Sequence, residues 1–359
     1  MRSFEQGFLE RQAIPHSLLR TTRLLGEYKG KEALFKQQTP QVLESLRQVA
    51  IIQSTESSNR IEGIEAPPER IRKLVEHKTT PQNRSEQEIA GYRDVLATIH
   101  ANHANIPITT GMVLQLHRDL YQFVAGPGGR WKMTNNSIAE TRADGTRIIR
   151  FEPVPAHQTP DAMERLHALY RELWDRQEID PLLLIPAYVF DFLCIHPFTD
   201  GNGRMARLLT LLLLYHAGFE VGRYVSLEHL IENQREGYYD ALFKSSQGWH
   251  DGRHTLLPWW EYFLGIMLLG AYREFERRTG ELTTAHGAKT EMVIAAISKL
   301  PATFRYGDLA RACPNVSRPT IKRVLGLLRH EGKVECVKPG RDAVWEKRGR
   351  ETINGINNG

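Results

Sequence analysis

Apolar residues recur at three- and four-residue intervals along most of the chain, and this spacing predicts a mainly α-helical protein. It places the apolar side chains on one face of each helix, where they can pack on a core. The clearest predicted helices lie at residues 42–52, 86–100, 109–120, 161–174 and 291–299. Two denser apolar segments, 182–195 and 208–215, are predicted to be buried helices, because a membrane span needs about 20 uninterrupted apolar residues.

One segment departs from the helical pattern. Residues 136–142 and 147–151 are β-prone and flank Ala143-Asp144-Gly145-Thr146. Asp-Gly favours a type I′ turn, which needs positive φ at both central residues, so a β-hairpin is predicted here.

The end of the chain predicts a separate small unit. Residues 306–313 form a short helix candidate, and Ser317 is a suitable N-cap for a second helix that runs to about His330. Residues 333–337 and 343–347 then predict another hairpin. Helix, turn, helix and wing in this order are typical of a winged-helix domain.

Charge is divided unevenly along the chain. The net charge is +5, but residues 288–359 contain 14 Lys and Arg against 7 Asp and Glu, whereas the remainder contains 33 against 35. This excess indicates an acidic or nucleic-acid partner for the C-terminal segment. A solvated basic face explains the charge equally well.

The three cysteines, Cys194, Cys313 and Cys336, have no metal-binding or disulfide-type spacing. Neither a zinc site nor a disulfide framework is therefore predicted. The N-terminus does not resemble a signal peptide. The expectation is a cytoplasmic protein with no membrane partner.

The densest candidate chemistry lies in the segment His196-Pro197-Phe198-Thr199-Asp200-Gly201-Asn202-Gly203-Arg204-Met205-Ala206-Arg207. Pro197 disfavours helical geometry in the residue before it, so His196 falls at a helix–loop junction and can face a pocket. Phe198 is expected to anchor the loop in the core.

The glycines of this segment predict a phosphate-binding turn. Gly201-Asn202-Gly203 precedes a helical run, and converging N–H groups at a helix N-terminus bind phosphate oxygens. Arg204 and Arg207 place two cations on the first turn, which is unfavourable for the helix dipole unless an anion lies there. Asp200 is suited to Mg²⁺, which commonly uses one or two carboxylates together with substrate phosphates.

The segment resembles the HPFxDGNGRxxR signature of the Fic family and matches it at every specified position; the likeness extends over residues 58–262. The resemblance implies a Fic-type helical core that transfers AMP from ATP to a protein hydroxyl and releases pyrophosphate. It implies a general base in His196, a Mg²⁺ ligand in Asp200, and phosphate contacts by Gly201, Asn202, Gly203 (α-phosphate), Arg204 (β) and Arg207 (γ). A histidine pKa near 6.5 suits proton removal.

A second segment, Ser58-Asn59-Arg60-Ile61-Glu62-Gly63, resembles the inhibitory motif [ST]xxxE[GN] of autoregulated Fic proteins. Gly63 also fits a helix C-cap, and the two interpretations are compatible. The resemblance implies that Glu62 forms a bidentate pair with Arg207 and displaces the γ-phosphate, with Ser58 fixing Glu62. Activation of water for AMP removal is the alternative role for Glu62.

Two further elements are expected to face substrates. The hairpin at 136–151 occupies the chain position of the Fic flap, which can pair with an extended target segment, and Ile138 would clamp the nucleotide. A purely structural ribbon is the alternative. Residues 233–242 resemble the helix beside the adenine, where Tyr238 is either a nucleotide contact or a core aromatic. Ser246 stands where relatives often carry Asn.

These observations predict three regions: an N-terminal helical region at 1–105, a Fic catalytic core at 106–275 and a winged-helix domain at 288–350. The leading hypothesis is a self-inhibited protein adenylyltransferase that uses ATP and Mg²⁺ and acts on a target protein and on itself. One alternative is a DNA-binding regulator with a nucleotide-sensing core, with Arg318, Lys322 and Arg323 on its recognition helix. The other is a Fic enzyme that transfers a different group or removes AMP. A homodimer is compatible with each hypothesis.

Overall fold

The computed structural model describes residues 1–5, 7–38, 40–126, 128–141, 146–284, 288–313, 316–340 and 343–348. The chain divides into two compact units, Met1–Lys31 with Glu44–Phe275, and Glu32–Leu43 with Glu276–Gly359. The fold is mainly helical with two small antiparallel sheets, which confirms the predicted fold class. The first unit spans most of both the 1–105 and 106–275 regions.

The chain up to residue 284 is built from helices of very different length. They are α1 (His16–Gln38), α2 (Pro40–Ile61), α3 (Pro68–Val75), α4 (Arg84–Asn102), α5 (Thr110–Leu120), α6 (Thr159–Arg176), α7 (Pro181–Ile195), α8 (Asn202–His216), α9 (Leu227–Asn233), α10 (Arg235–Ser246), α11 (Leu257–Trp260), a π-helical stretch (Glu261–Leu268) and α12 (Leu269–Thr284). Every periodic segment predicted in this part of the chain lies in one of these helices or reaches its N-cap residue.

Helices α7 and α8 form the buried centre of the first unit. After its first residue, Pro181, every residue of α7 is buried, and α7 packs against both α6 and α8. Asp180 starts α7 by accepting a hydrogen bond from the Leu182 N–H at 2.8 Å. The apolar runs at 182–195 and 208–215 are therefore core helices, as predicted, and the loop between them carries the candidate chemistry.

The predicted hairpin is present. Strand β1 (Ile138–Thr141) pairs antiparallel with β2 (Arg147–Phe151), and the register shifts between Ile138 and Ala139. These two strands form a two-stranded sheet. The predicted turn residues Ala143, Asp144 and Gly145 lie outside the described residues.

The C-terminal unit contains α13 (Ala288–Lys299), β3 (Thr303–Arg305), α14 (Tyr306–Ala312), α15 (Arg318–His330), β4 (Val334–Lys338) and β5 (Val344–Lys347). Ser317 caps α15, with its hydroxyl accepting from the Thr320 N–H at 3.4 Å, as predicted. Strand β3 was not predicted from the sequence. It pairs with β5 in a sheet of order β3-β5-β4, so the hairpin gains a third strand. Val293, Leu309, Val324 and Leu325 lie in the core of this unit.

Within the described part of the chain, none of the helices combines the length and the apolar character that a bilayer crossing requires.

Candidate active site

The signature segment lines a cavity of about 990 Å³ in the first unit. Most of the predicted site residues contribute to its wall: Ile138, Glu62, His196, Asp200, Gly201, Asn202, Gly203, Arg207 and Tyr238. Arg204 and Ser58 do not. The structure therefore brings together residues that lie as much as 176 positions apart in the chain, from Glu62 to Tyr238.

His196 ends α7 in the left-handed conformation, with φ of 50°. Pro197 disfavours continuation of the helix at His196, and the turned backbone directs the residue to the cavity. Nδ1 lies 3.3 Å from the carbonyl oxygen of Leu193. Because a carbonyl oxygen only accepts, Nδ1 carries the proton and Nε2 keeps its lone pair. Burial lowers the pKa of His196 to about 4, so the ring is neutral near pH 7.

The Asn202 side chain closes the signature loop. Its Oδ1 accepts a hydrogen bond from the Phe198 N–H at 2.9 Å, and its Nδ2 donates to the Phe198 carbonyl at 2.7 Å. Phe198 is fully buried, as expected for an anchor. The side-chain amide of Asn202 is thus occupied by the loop itself, and any phosphate contact by this residue falls to its backbone N–H.

Gly201 and Gly203 have separate steric reasons to be glycine. Gly201 caps α8 with φ of 81°, in the region that disfavours side chains. At Gly203, a Cβ would clash with Oε1 of Glu62. Helix α8 begins at Asn202, within the glycine turn. The backbone N–H groups of the first residues of α8 have no acceptor inside the helix, so the turn presents them to the cavity.

Three side chains without a predicted role, those of His117, Lys132 and Asn136, contact the signature loop or the end of α7 before it and fix the backbone there. His117 stacks on Phe198 with ring centroids 3.6 Å apart, and its Nε2 donates to the Asp200 carbonyl at 3.1 Å. The proton is on Nε2 because Nδ1 accepts from the Gly129 N–H. Lys132 and Asn136 act on the other end of the loop.

Lys132 is a buried cation at the C-terminal end of α7. Its Nζ donates to the Ile195 carbonyl at 3.0 Å and to Oδ1 of Asn136 at 2.8 Å. Asn136 Nδ2 in turn donates to the carbonyl oxygens of His196 and Phe198, at 3.3 and 3.1 Å. Burial lowers the pKa of Lys132 to about 8. The only sequence signal for these contacts was that Asn136 begins the flap segment and Lys132 lies just before it.

Arg207 is held by the end of α2. Its Nη2 donates to Oε1 of Glu62 at 2.7 Å and to the Ser58 carbonyl at 2.8 Å, while Nε donates to Ser58 Oγ at 2.8 Å. The predicted pair with Glu62 is therefore present, but through one carboxylate oxygen rather than two. Ser58 binds Arg207 and not Glu62, because its hydroxyl points to Nε. Burial acts to lower the pKa of Arg207, but the Glu62 charge raises it above its usual value.

The last turn of α2 is tied to the helices beside the cavity. Arg60 donates to Oε1 of Glu232 on α9 at 3.0 Å. Arg235 on α10 donates to the Ile61 carbonyl at 3.0 Å. These contacts fix the backbone on both sides of the turn that presents Glu62, whose side chain is still 31% exposed.

Arg204 is directed away from the cavity. The side chain is fully buried, with Nη1 2.8 Å from Glu88 Oε2 and Nη2 donating to the Tyr121 hydroxyl at 2.7 Å. Asp200 Oδ2 is 3.8 Å from Nη2. Arg204 and Arg207 therefore start from adjacent turns of the same helix but bind different partners. A carboxylate already neutralises each of them.

Asp200 is the candidate metal ligand. Its carboxylate is 61% exposed, and Oδ1 accepts from the Gly201 N–H at 2.7 Å. Among the described residues, no group of three or more His, Cys, Asp or Glu could hold a metal ion. This donor set fits a cation held by one carboxylate and by phosphate oxygens of a substrate.

Residues 107–214 match the family model for the Fic/DOC family. The chain is a Fic family protein. The matched range includes the flap and the signature loop, whereas Glu62 and Tyr238 lie outside it.

Named relatives of this Fic protein include Protein adenylyltransferase Fic of Nematostella vectensis, 25% identical over 209 residues that cover 55% of this chain and 44% of that protein. Protein adenylyltransferase fic-1 of Caenorhabditis elegans is 38% identical over 74 residues, which cover 20% of this chain and 14% of that protein. The chain matches less than half the length of both. A Fic family protein from Desulfovibrio desulfuricans G20 has the same fold, with a TM-score of 0.61 at 21% identity over 95% of this chain and 98% of that one.

The remaining cavity wall of the Fic protein comes from the flap and α10. Ile138 pairs with Phe151, and both line the cavity. Tyr238 is buried in edge-to-face contact with Trp259 and Tyr262, at 5.6 and 5.7 Å, so it is a core aromatic that also reaches the cavity. Arg150, Arg235, Glu236 and Asp240 line the cavity as well. The segment 233–242 was expected beside the nucleotide, whereas the placement of Arg150 could not be predicted, because only tertiary packing brings the flap over α10.

Proposed function

We propose that this Fic protein is a protein adenylyltransferase, which moves AMP from ATP to a Tyr, Thr or Ser hydroxyl of a target protein, and that Glu62 restrains it. One observation supports both parts of the proposal. A carboxylate oxygen of Glu62 lies against Gly203 and 2.7 Å from Arg207, at the N-terminus of α8 and in the same cavity as His196. The chain's own anion thus occupies a cradle with the chemistry of a phosphate site.

His196 is suited to act as the base. Its neutral ring has a lone pair on Nε2, and the Leu193 carbonyl fixes the tautomer. In the proposed reaction the hydroxyl oxygen attacks the α-phosphorus, its proton passes to Nε2, and the bond from the α-phosphorus to pyrophosphate breaks. A general base of this kind typically contributes about 10²–10⁴-fold in rate.

The triphosphate would be bound by the glycine turn and by Arg207. Free N–H groups of the first turn of α8 would take α-phosphate oxygens, and Arg207 would take the γ-phosphate once Glu62 leaves. Asp200 would hold Mg²⁺, which supplies charge neutralisation on the phosphates. Arg204, in this arrangement, supports the loop through Glu88 and Tyr121 rather than through a phosphate.

The restraint acts through competition for one cation. While Arg207 donates to Glu62, the same N–H cannot donate to a γ-phosphate, and two anions cannot share the cradle without repulsion. Contacts of Arg60 with Glu232 and of Arg235 with the Ile61 carbonyl hold the restraining turn in place. Release therefore requires replacement of Glu62 or movement of this turn.

The target is expected to dock on the flap. The described strands β1 and β2 form a two-stranded sheet, so each strand has an edge on which an extended segment could add a strand. Such pairing uses main-chain groups and demands little of the target sequence. It would bring a target hydroxyl to the cavity wall that contains Ile138 and His196.

The test compares the wild type with Glu62→Gly in ATP and Mg²⁺, with intact-mass and peptide mapping of the protein itself. We expect Glu62→Gly to gain the mass of an adenylyl group at least severalfold faster, and Glu62→Gly/His196→Ala to gain none. Glu65→Gly is the matched control, since Glu65 is exposed in the same connection and makes no contact with Arg207. Equal rates in wild type and Glu62→Gly would reject the restraint. A different added mass would reject AMP transfer, and faster loss of AMP with Glu62 present would support the removal role.

A further inference from the structure

Helix α15 of the C-terminal unit carries an unusual concentration of positive charge. Its 13 residues include Arg318, Lys322, Arg323 and Arg329 and no Asp or Glu. All four side chains are exposed. None of them forms an ion pair with a described residue, although Arg323 donates to the Thr290 hydroxyl at 3.0 Å. The helix therefore presents positive charge that the described chain leaves uncompensated.

The packing of α15 fixes the direction of this charge. Ile321, Val324, Leu325 and Leu328 are buried in the core of the unit, so the opposite face points to solvent. Arg318, Lys322 and Arg329 are exposed and fall on one line along the helix, about a quarter turn from the centre of the buried side, given about 100° per residue. At 1.5 Å per residue the line is about 16 Å long.

Gly326 is a second and independent observation on the same face. It lies in the middle of α15, is exposed, and a Cβ there would meet nothing within 4 Å. Glycine inside a helix lowers its stability, and here no packing within the described chain requires it. It leaves the helix backbone bare between Lys322 and Arg329, where another molecule could approach closely.

The composition of this face distinguishes between classes of partner. Protein interfaces are anchored by buried aromatic and apolar side chains, but the exposed face of α15 offers only Leu327 and no aromatic residue. A rigid row of cations suits a regular row of phosphates. An α-helix fits the major groove of B-form DNA, about 12 Å wide, but not the narrow major groove of A-form RNA.

We propose that the exposed face of α15, defined by Arg318, Lys322, Arg323, Gly326 and Arg329, binds double-stranded DNA in its major groove. The cations at the two ends of the 16 Å line can reach phosphates on both sides of a groove about 12 Å wide. The bare backbone at Gly326 lets the helix lie deep between them. This proposal does not depend on the adenylyltransferase activity.

The test measures binding of the full chain to a fluorescent random-sequence DNA duplex by anisotropy, over a range of salt concentrations. We expect saturable binding at physiological salt. Lys322→Gln/Arg329→Gln should weaken it at least tenfold and lower the slope of log affinity against log salt by about two. Arg20→Gln/Lys73→Gln removes the same charge from exposed sites in the first unit and should bind as the wild type does.

A further variant distinguishes insertion of α15 into the major groove from binding that depends on its positive charge alone. Gly326→Gln keeps the net charge and should weaken DNA binding severalfold, while the melting temperature stays equal or rises because glycine is lost from a helix. Equal binding by the two charge variants would overturn the proposal. So would absence of binding at physiological salt, or equal or tighter binding of duplex RNA or of polyglutamate.

Discussion

Ser58 holds Arg207 at two points, because its Oγ accepts from Nε and its carbonyl oxygen accepts from Nη2, both at 2.8 Å. The serine is fully buried, so its loss would leave a buried N–H of a cation without an acceptor. A hydrogen bond to a charged group contributes about 1.5–3 kcal/mol. Ser58 therefore orients the cation that both the restraint and the nucleotide would use.

The first prediction concerns Ser58→Ala in the Glu62→Gly background. We expect the KM for ATP to rise roughly tenfold, with a smaller change in kcat, because Arg207 loses the orientation that the γ-phosphate needs. Steady-state self-modification over a range of ATP concentrations measures it. Ser57→Ala is the control, since Ser57 is equally buried on α2 but contacts His229. An unchanged KM, or the same rise in Ser57→Ala, would contradict the role given to Ser58.

The second prediction separates a structural role of Arg204 from the phosphate contact that the family signature implies. Arg204→Met should lower the free energy of unfolding by about 3 kcal/mol, because it leaves the buried Glu88 carboxylate paired only with the exposed Arg84. Glu88→Leu/Arg204→Met removes both charges and should recover part of that loss. Chemical denaturation measures both. An Arg204→Met protein as stable as the wild type but weak in ATP binding would favour the phosphate contact.

Arg204 and Arg207 lie three residues apart on α8, and only part of their structural context could be predicted from the sequence. The helix and the loop before it follow from local rules about proline, glycine and apolar spacing, and the helix is confirmed, although it begins at Asn202, two residues before the predicted run. The partner of each arginine does not follow from them. Glu88 and Glu62 lie 116 and 145 residues before their arginines, and only packing of α4 and α2 against α8 decides which carboxylate meets which cation.

Two other features of the structure could not be predicted from the sequence for the same reason. Strand β3 has three residues and no alternating apolar run, so its existence depends on pairing with the distant β5. Lys132 has no motif of its own, yet its amine reaches the carbonyl that ends α7. Both features arise from tertiary contacts between segments whose local sequences are uninformative.

The third prediction concerns Lys132, as a positioning residue for His196. Its charge lowers the pKa of His196, and its contacts hold the Ile195 carbonyl and Asn136. Lys132→Met in the Glu62→Gly background should lower kcat at least tenfold. It should also move the acid limb of the pH–rate profile to higher pH, because a His196 with a raised pKa becomes protonated at a higher pH and can no longer accept a proton.

Lys132→Arg restores the charge and should return the acid limb toward its original position. Lys73→Met, which removes an exposed lysine on α3, should leave both kcat and the profile unchanged. A Lys132→Met protein with lower kcat and an unshifted acid limb would reduce Lys132 to structural support.

The fourth prediction concerns the stability of the first unit in acid. Burial lowers the pKa of His100 to about 3, and those of His167 and His254 to about 4, below the ordinary value of 6.5. Between pH 6.5 and 4 the unfolded chain therefore binds more protons than the folded one, and stability falls as the pH falls. Asp191 acts in the opposite direction, because burial raises the pKa of its carboxyl to about 6.

Burial also lowers the pKa of His117 and His196 to about 4. Five histidines against one carboxyl give a net loss of stability on acidification, since each unit of pKa shift corresponds to about 1.4 kcal/mol. We expect the melting temperature of the first unit to be highest above pH 6.5 and to drop by several degrees by pH 4.5. His167→Gln, if it folds, should flatten this dependence because one titrating site is lost. The exposed His16→Gln is its control and should keep the full dependence. A melting temperature that holds constant from pH 7 to 4.5 would mean that these rings are not kept neutral by burial.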